Sequence, residues 1–171
     1  MQLSDIVRFF STPSYRTLNE ITVSAAALSH NHRVLRKAYN NLPVAPVLKS
    51  NAYGHGLKLV APVFDQLQPP FLVVDSLYEA YELKKLRLKT PILIMGYTHY
   101  KNLLHKRLPF HWAVFDLETA QALNRTQRHC QIHIFVDTGM HREGVRLSQL
   151  ADFFNTVRAL SNLQVVRLCY H

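Results

Sequence analysis

Short apolar runs recur along the chain, and each is nearly continuous and is followed by a polar residue or a glycine. Such runs are typical of strands buried on both faces of a parallel sheet. The segments between them carry apolar residues at helical spacing. The predicted strands are Val44–Leu48, Phe71–Val74, Ile92–Met95, Trp112–Phe115, Ile132–Val136 and Val165–Cys169. The predicted helices are Leu57–Leu67, Leu77–Arg87, Lys101–Lys106, Leu117–Arg125 and Leu147–Leu160, together with a first helix that runs from the N-cap Ser24 to about Tyr39.

The strand–helix unit repeats six times. The residues at the strand ends are Lys49, Asp75, Gly96, Asp116, Asp137 and His171, and successive ones are 20 to 34 positions apart. Parallel strands joined by helical crossovers form either an open doubly wound sheet or a closed barrel, and the periodicity leaves both open. A closed (β/α)8 barrel needs eight units and about 250 residues. Residues 1–171 are therefore predicted to form one α/β domain with the functional side chains at the carboxyl edge of its strands.

The composition, with 48% hydrophobic and 18% charged residues, indicates a globular chain. No run approaches the roughly 18–20 apolar residues of a membrane span. The first ten residues lack a basic start and a long apolar stretch, so no signal peptide is predicted. Both cysteines, Cys130 and Cys169, lie in or beside predicted strands, which favours buried thiols over a disulfide framework. We expect a cytoplasmic protein.

The formal net charge of +9 raises nucleic-acid binding as an alternative. The basic residues are spread along the chain, however, and the densest cluster, Lys84–Lys89, ends a predicted helix, where cations suit the helix dipole. No nucleic-acid partner is predicted, because no binding motif accompanies the charge. No metal site is predicted either, since His129, Cys130 and His133 have no further ligand close by in sequence.

The apolar run Val44–Leu48 ends at Lys49, and Ser-Asn-Ala-Tyr-Gly-His-Gly follows directly. Burial at the end of such a run disfavours a charged amine, and a neutral lysine forms imines with carbonyls or acts as a base. Gly54 and Gly56 allow a sharp turn and a close approach to a ligand. The alternative interpretation is a strand that ends in a solvated lysine and a glycine turn.

The segment Lys49–Gly56 resembles the cofactor-lysine motif of the alanine racemase family. Asp137–Gly144 is similar to the second barrel motif of that family, and Leu168–His171 resembles the strand end that carries a cofactor-contacting histidine. Ile21–Ser24 and Leu28–Asn31 fit its entry strand and first helix. The resemblance runs from about Arg16 to His171. It implies a parallel (β/α) barrel of the alanine racemase type, here incomplete, with about six of the eight units and without the C-terminal β domain.

The resemblance also implies a pyridoxal 5'-phosphate enzyme that interconverts L- and D-alanine for peptidoglycan and works as a homodimer. By the same resemblance Lys49 holds the cofactor and serves as one catalytic base, and Tyr53 contacts the cofactor phosphate. Arg142 holds the cofactor's phenolic oxygen or the substrate carboxylate, and His171 contacts the cofactor ring. The second base of the family is a tyrosine of the partner subunit, and no residue of this chain can be assigned to it. A non-catalytic cofactor-binding remnant and a racemase of broader specificity are the alternatives.

The chain departs from the family pattern in ways that bear on the site. Phe135 stands where the family often has a lysine that serves as the charge partner of the arginine, and Glu143 is the candidate substitute partner of Arg142. The phosphate-binding loops expected after strands seven and eight are absent. Six strands also leave open edges and, facing away from the helices, an uncovered apolar surface, which predicts association with other chains.

Overall fold

The computed structural model describes residues 18–104 and 108–170. Six strands form one sheet in which every pairing is parallel. These are β1 (Leu72–Val74), β2 (Ile92–Ile94), β3 (His111–Val114), β4 (Cys130–Asp137), β5 (Val145–Arg146) and β6 (Leu163–Tyr170). The order is β1-β2-β3-β4, with β6 also along β4 and the two-residue β5 at the carboxyl end of β4. The predicted parallel α/β architecture is confirmed, and the barrel is incomplete.

Six α-helices and one left-handed helical turn, labelled α2, precede or connect these strands in the described residues. They are α1 (Ala25–Ala38), α2 (Lys49–Tyr53), α3 (Leu57–Asp65), α4 (Leu77–Lys85), α5 (Tyr100–Leu103), α6 (Leu117–Thr126) and α7 (Leu150–Arg158), and a 3-10 turn, Leu147–Gln149, precedes α7. Four helices begin at a side chain that accepts a backbone N–H of the first turn: Ser24, Ser76, His99 and Asp116. Such caps satisfy donors that have no partner within the helix, so the starts were predictable from sequence.

Two predicted strands are wrong in detail. Val44–Leu48 makes a single parallel bridge, Val47 to Val73, instead of a strand. Leu48 N donates to Val73 O at 2.7 Å and Val73 N donates to Pro46 O at 3.0 Å, but Pro46 has no N–H with which to extend the ladder. The expected entry strand at Ile21–Ser24 is also not formed within the described residues.

Helix ends and one short strand also differ from the sequence pattern. The helix predicted at Lys101–Lys106 ends at Leu103, and residues 105–107 lie outside the described part. The strand β5 was missed, because two residues are too few to show an alternating pattern. No helix of the described ranges is long and apolar enough to cross a membrane.

The main core lies between the sheet and the helices. Alternate strand residues face opposite sides of a sheet, and the residues of one set are almost completely buried against the helices. This set is Leu72, Val74, Ile92, Ile94, Trp112, Val114, Ile132, Ile134 and Val136. Leu83, Leu123 and Val157 close it from the helix side. The continuous apolar runs of the sequence therefore arise because both faces of the strands are covered.

The opposite face of the sheet is covered by a cluster of rings. The rings of His111 and His133 lie 4.9 and 5.0 Å from that of Phe71, and the guanidinium of Arg167 lies 5.6 Å from the same ring. Phe71, Val73 and Leu93 are consequently buried, and the expectation of an uncovered apolar face is wrong for these strands. The exposed apolar surface lies on β6 instead, where Leu168 is 50% and Tyr170 78% exposed.

Both cysteines are free thiols, as predicted. Burial raises the pKa of the Cys130 thiol to about 12. It also raises the pKa of Cys169. These thiols are therefore packed as small apolar side chains and are not activated nucleophiles.

Candidate functional site

Lys49 lies at the carboxyl edge of the sheet, directly after the buried Leu48. Its Nζ is 3.9 Å from Oδ1 of Asp75, the residue that follows β1, and the two side chains are 33% and 53% exposed. The desolvation predicted for Lys49 is thus only partial. A pair this exposed adds little to folding stability. Its consequence is geometric: the amine is held at the rim of the sheet, within reach of solvent and of a small molecule.

The backbone that follows Lys49 forms a left-handed turn. Ser50, Asn51, Ala52 and Tyr53 all have φ between 53° and 55°, and Gly54 follows at 87°. For residues with a Cβ this conformation costs about 1–2 kcal/mol each. It persists only where the surroundings hold it, and such strain clusters at functional sites. Sequence reasoning missed the turn, because its residue types do not favour positive φ except for Asn51 and Gly54.

Local hydrogen bonds hold this turn. Ala52 N donates to Leu48 O at 2.8 Å, and Leu57 N at the start of α3 donates to Asn51 Oδ1 at 2.8 Å. The His55 ring nitrogen Nδ1 lies 2.9 Å from Ala52 O. Tyr53, at the end of the turn, is 62% exposed. The turn therefore presents the Lys49 amine and the Tyr53 ring on one short, fixed segment.

A groove of about 660 Å³ borders the turn, a volume in the range of small-molecule sites. Ser50, Asn51 and the start of α3 form one wall, and Asp75, Ser76 and α4 form the other. Lys49 is not among its lining residues, so the groove lies beside the amine and not around it. Asp75 belongs both to the wall of the groove and to the pair with Lys49, so it connects the groove with the lysine amine.

A second loop of the same edge follows β4. Asp137 Oδ1 accepts N–H bonds from Gly139 at 2.9 Å and from His141 at 3.0 Å. The hydrogen bond from Gly139 N has the largest effect and that from His141 N the next largest, and both lower the pKa of the Asp137 carboxyl group. Gly144 returns the chain to the sheet with φ +151°, and a Cβ there would lie 2.5 Å from Asp137 N. Asp137 and Gly144 together fix the loop that carries Arg142.

Arg142 Nε donates to Glu143 Oε2 at 2.7 Å, and both side chains are about half exposed. The structure therefore pairs Arg142 with the candidate substitute partner named from sequence. Phe135, which stands where the family often has a lysine, is buried.

The sequence-predicted residues fall into two groups on one edge. Lys49 and Tyr53 share the turn beside β1, whereas Arg142 follows β4, with β2 and β3 between. His171 lies outside the described residues. Sequence reasoning did not assign a role to Asp75, although its place at a strand end beside Lys49 was the available signal.

A parallel α/β sheet with a lysine turn and an arginine loop at its carboxyl edge is the arrangement of an α/β barrel domain whose site lies at that edge. The family model "Alanine racemase, N-terminal domain" matches residues 23–171, and the chain belongs to this family. Helicobacter acinonychis alanine racemase is 34% identical over 165 residues, which are 91% of this chain. A serine/alanine racemase of Enterococcus gallinarum is 35% identical over 137 residues.

Solved structures agree with the sequence relatives. Alanine racemase of Corynebacterium glutamicum superposes with a TM-score of 0.75 at 28% identity, over 86% of this chain. The alanine racemase of Oenococcus oeni, at 24% identity and a TM-score of 0.76, shows the same fold. This chain spans only 43% of the Helicobacter acinonychis protein, 43% of the Corynebacterium glutamicum chain and 19% of the Enterococcus gallinarum protein.

Proposed function

We propose that this chain is the cofactor-binding part of a pyridoxal-phosphate-dependent alanine racemase that serves the supply of D-alanine for peptidoglycan. The observation that carries the proposal is the accessible Lys49 amine on a strained turn at the carboxyl edge, 3.9 Å from Asp75. Active sites of parallel α/β barrels lie at this edge. The family membership supports the reaction class.

The chemistry of the donor set fits this cofactor. Lys49 offers a primary amine to an aldehyde, Tyr53 offers an exposed phenol to a phosphate, and the Arg142 guanidinium suits an anionic oxygen. Bound pyridoxal phosphate supplies an electron sink that weakens the bond to the substrate's α-hydrogen. Tight phosphate binding normally uses several backbone N–H groups, so we expect this chain alone to hold the cofactor weakly.

In the proposed site Lys49 is the group that takes and returns the α-proton at one face of the substrate. Asp75 holds the ammonium form in place at the rim when Lys49 carries the proton. Glu143 accepts the Nε hydrogen of Arg142 and so orients the guanidinium, a group that suits an anionic oxygen. Racemisation needs a second base on the opposite face, and we propose that a homodimer partner supplies it.

Reduction of a mixture of the chain and pyridoxal phosphate with borohydride, followed by peptide mapping, tests the proposal. We expect the label on Lys49, and Lys49→Arg to abolish it. Lys58→Arg is the matched control, because Lys58 is an exposed lysine nearby that pairs with Glu82. Label spread over surface lysines, with none on Lys49, contradicts the proposal.

Kinetics separate a racemase part from a non-catalytic remnant. With Lys49 as the one assigned base, α-deuterium uptake into alanine should outpace inversion, since loss of one acid–base group costs about 10²–10⁴-fold. Equal and rapid rates contradict the one-base account, and no uptake at all supports the remnant. The serine/alanine racemase relative makes serine the substrate with which to test broader specificity.

A further inference from the structure

The carboxylate of Glu79 lies between the two backbone segments that carry the Lys49–Asp75 pair. We infer that Glu79 is a positioning residue, which holds the turn Lys49–Tyr53 against the carboxyl end of β1 and so sets where the Lys49 amine stands. The inference rests on the proposed function, because it concerns the position of the cofactor lysine.

The two oxygens of Glu79 serve different segments. Oε2 accepts from the backbone N–H of Asp75 at 3.1 Å, from that of Ser76 at 3.3 Å and from Ser76 Oγ at 3.2 Å. Oε1 accepts from Asn51 N at 3.4 Å, across 28 positions of sequence. One carboxylate thus anchors Asp75 itself and the residue two positions after Lys49.

A helix cap alone does not account for this arrangement. Ser76 and Glu79 form a capping box at the start of α4, and a capping box uses Glu79 to bond the N-cap backbone. The bond to Asn51 lies outside that motif and joins a different element.

The bond to Asn51 acts where the backbone is most strained. Asn51 lies in the middle of the left-handed run, with φ 55° and ψ 45°. Its side chain already holds the start of α3 through Leu57 N. The Glu79 bond to its N–H adds the tie between the turn and α4, and a charged acceptor strengthens such a bond. Loss of this tie should let the turn move relative to Asp75.

Glu79→Gln separates the bridge from the cap. Glutamine at this position supports a capping box as glutamate does. Its amide has one acceptor oxygen, whereas the carboxylate has two, so it cannot accept from both segments. Glu79→Ala removes both contacts. Glu82→Gln is the matched control, because Glu82 lies on the same helix and contacts the side chains of Lys58 and Lys85.

The first measurement is amide hydrogen exchange at Asn51 in the 171-residue chain without cofactor. We expect exchange about three- to tenfold faster in Glu79→Gln and Glu79→Ala, the factor that loss of one hydrogen bond produces, and unchanged in Glu82→Gln. Unchanged exchange at Asn51 in Glu79→Gln overturns the inference. Where Glu79→Ala does not fold, Glu79→Gln decides, because it keeps the cap.

The second measurement is the rate at which borohydride traps pyridoxal phosphate on Lys49, divided by the rate on Lys37, an exposed lysine of α1, in the same sample. A general loss of structure changes both rates, whereas a displacement of the turn changes only the rate on Lys49. We expect it to fall several-fold in Glu79→Gln and to stay at the wild-type value in Glu82→Gln. Faster exchange at Asn51 with an unchanged trapping ratio overturns the positioning role. Absence of any Lys49 adduct in the wild type overturns the proposed function, while exchange at Asn51 still decides the bridge.

Discussion

His133 is a buried histidine that the proposed reaction does not use. Its Nε2 lies 3.1 Å from Nδ1 of His111, and its Nδ1 has no hydrogen-bond partner among the described residues. Burial first, then the charges of His111 and Arg167, lowers the pKa of His133 from 6.5 to about 4. Burial lowers the pKa of His111 as well. The face of the sheet that carries Phe71, His111 and His133 therefore favours neutral imidazoles.

Acid should weaken the fold through His133. Between about pH 6.5 and 4 the unfolded chain binds a proton at His133 that the folded chain does not, so the free energy of unfolding falls as the pH is lowered. This residue alone should remove about 2 kcal/mol between pH 7 and pH 5. Urea unfolding at the two pH values measures the loss. His133→Leu should reduce it, the exposed His30→Leu should not, and an equal loss in both variants contradicts the assignment.

Gly144 is a residue at which an added methyl group should be poorly tolerated. Its φ of +151° disfavours a side chain, and the added Cβ would lie 2.5 Å from Asp137 N. Gly139, with φ +126°, has nothing within 4 Å of an added Cβ, so Gly139→Ala measures the cost of the backbone conformation without a steric clash. We expect Gly144→Ala to destabilise the fold by about 1–3 kcal/mol and by more than Gly139→Ala. Thermal melts of both variants check the order, and equal shifts contradict the steric account.

At the level of elements, helix starts follow from short-range chemistry. Asp116 Oδ1 accepts from Thr119 N at 2.7 Å, and its Oδ2 accepts from Thr119 Oγ1 at 2.9 Å. These partners are three residues apart, so the start of α6 is encoded locally and its prediction from sequence was confirmed. The ends of helices shift by one to three residues, because no comparable side chain defines them.

Asp116→Ala should lower the free energy of unfolding by about 1 kcal/mol, the usual effect of losing an N-cap. The expected result is a lower midpoint of chemical denaturation at an unchanged slope. Asp116→Asn is the control and should stay close to wild type, since asparagine caps as well as aspartate. A large loss in both variants would point to a role of the charge and not of the cap.

The whole molecule has one strongly exposed apolar strand surface in its described part. Leu168 and Tyr170 of β6 project from the sheet face that helices cover elsewhere, and Val166 is partly exposed beside them. The neighbouring strand β4 covers one edge of β6. Exposed apolar strands are templates for association.

We expect the 171-residue chain to associate through β6, and light scattering over a range of concentrations is the measurement. Leu168→Lys should shift the chain toward the monomer, because a charge on the exposed strand opposes pairing. Leu59→Lys is the control, since Leu59 is an exposed leucine on α3. A wild-type chain that is monomeric with a cooperative melt contradicts this prediction.

The sequence by itself determined the parallel α/β order, the buried runs and the capped helix starts. Burial on both faces makes a strand continuously apolar, and a cap acts over three residues, so both leave a local pattern. The motif around Lys49 located the candidate site in the same way, because its residues are consecutive.

Only the tertiary structure decided what joins distant positions. The Glu79 bridge to Asn51 spans 28 residues, and the histidine pair His111–His133 spans 22. The left-handed turn was not predictable, because alanine and tyrosine adopt it only when surrounding contacts offset its cost. Proline at position 46 likewise turned a predicted strand into a single bridge. Local pattern thus sets which residues are buried, and long-range contacts set where the Lys49 amine stands.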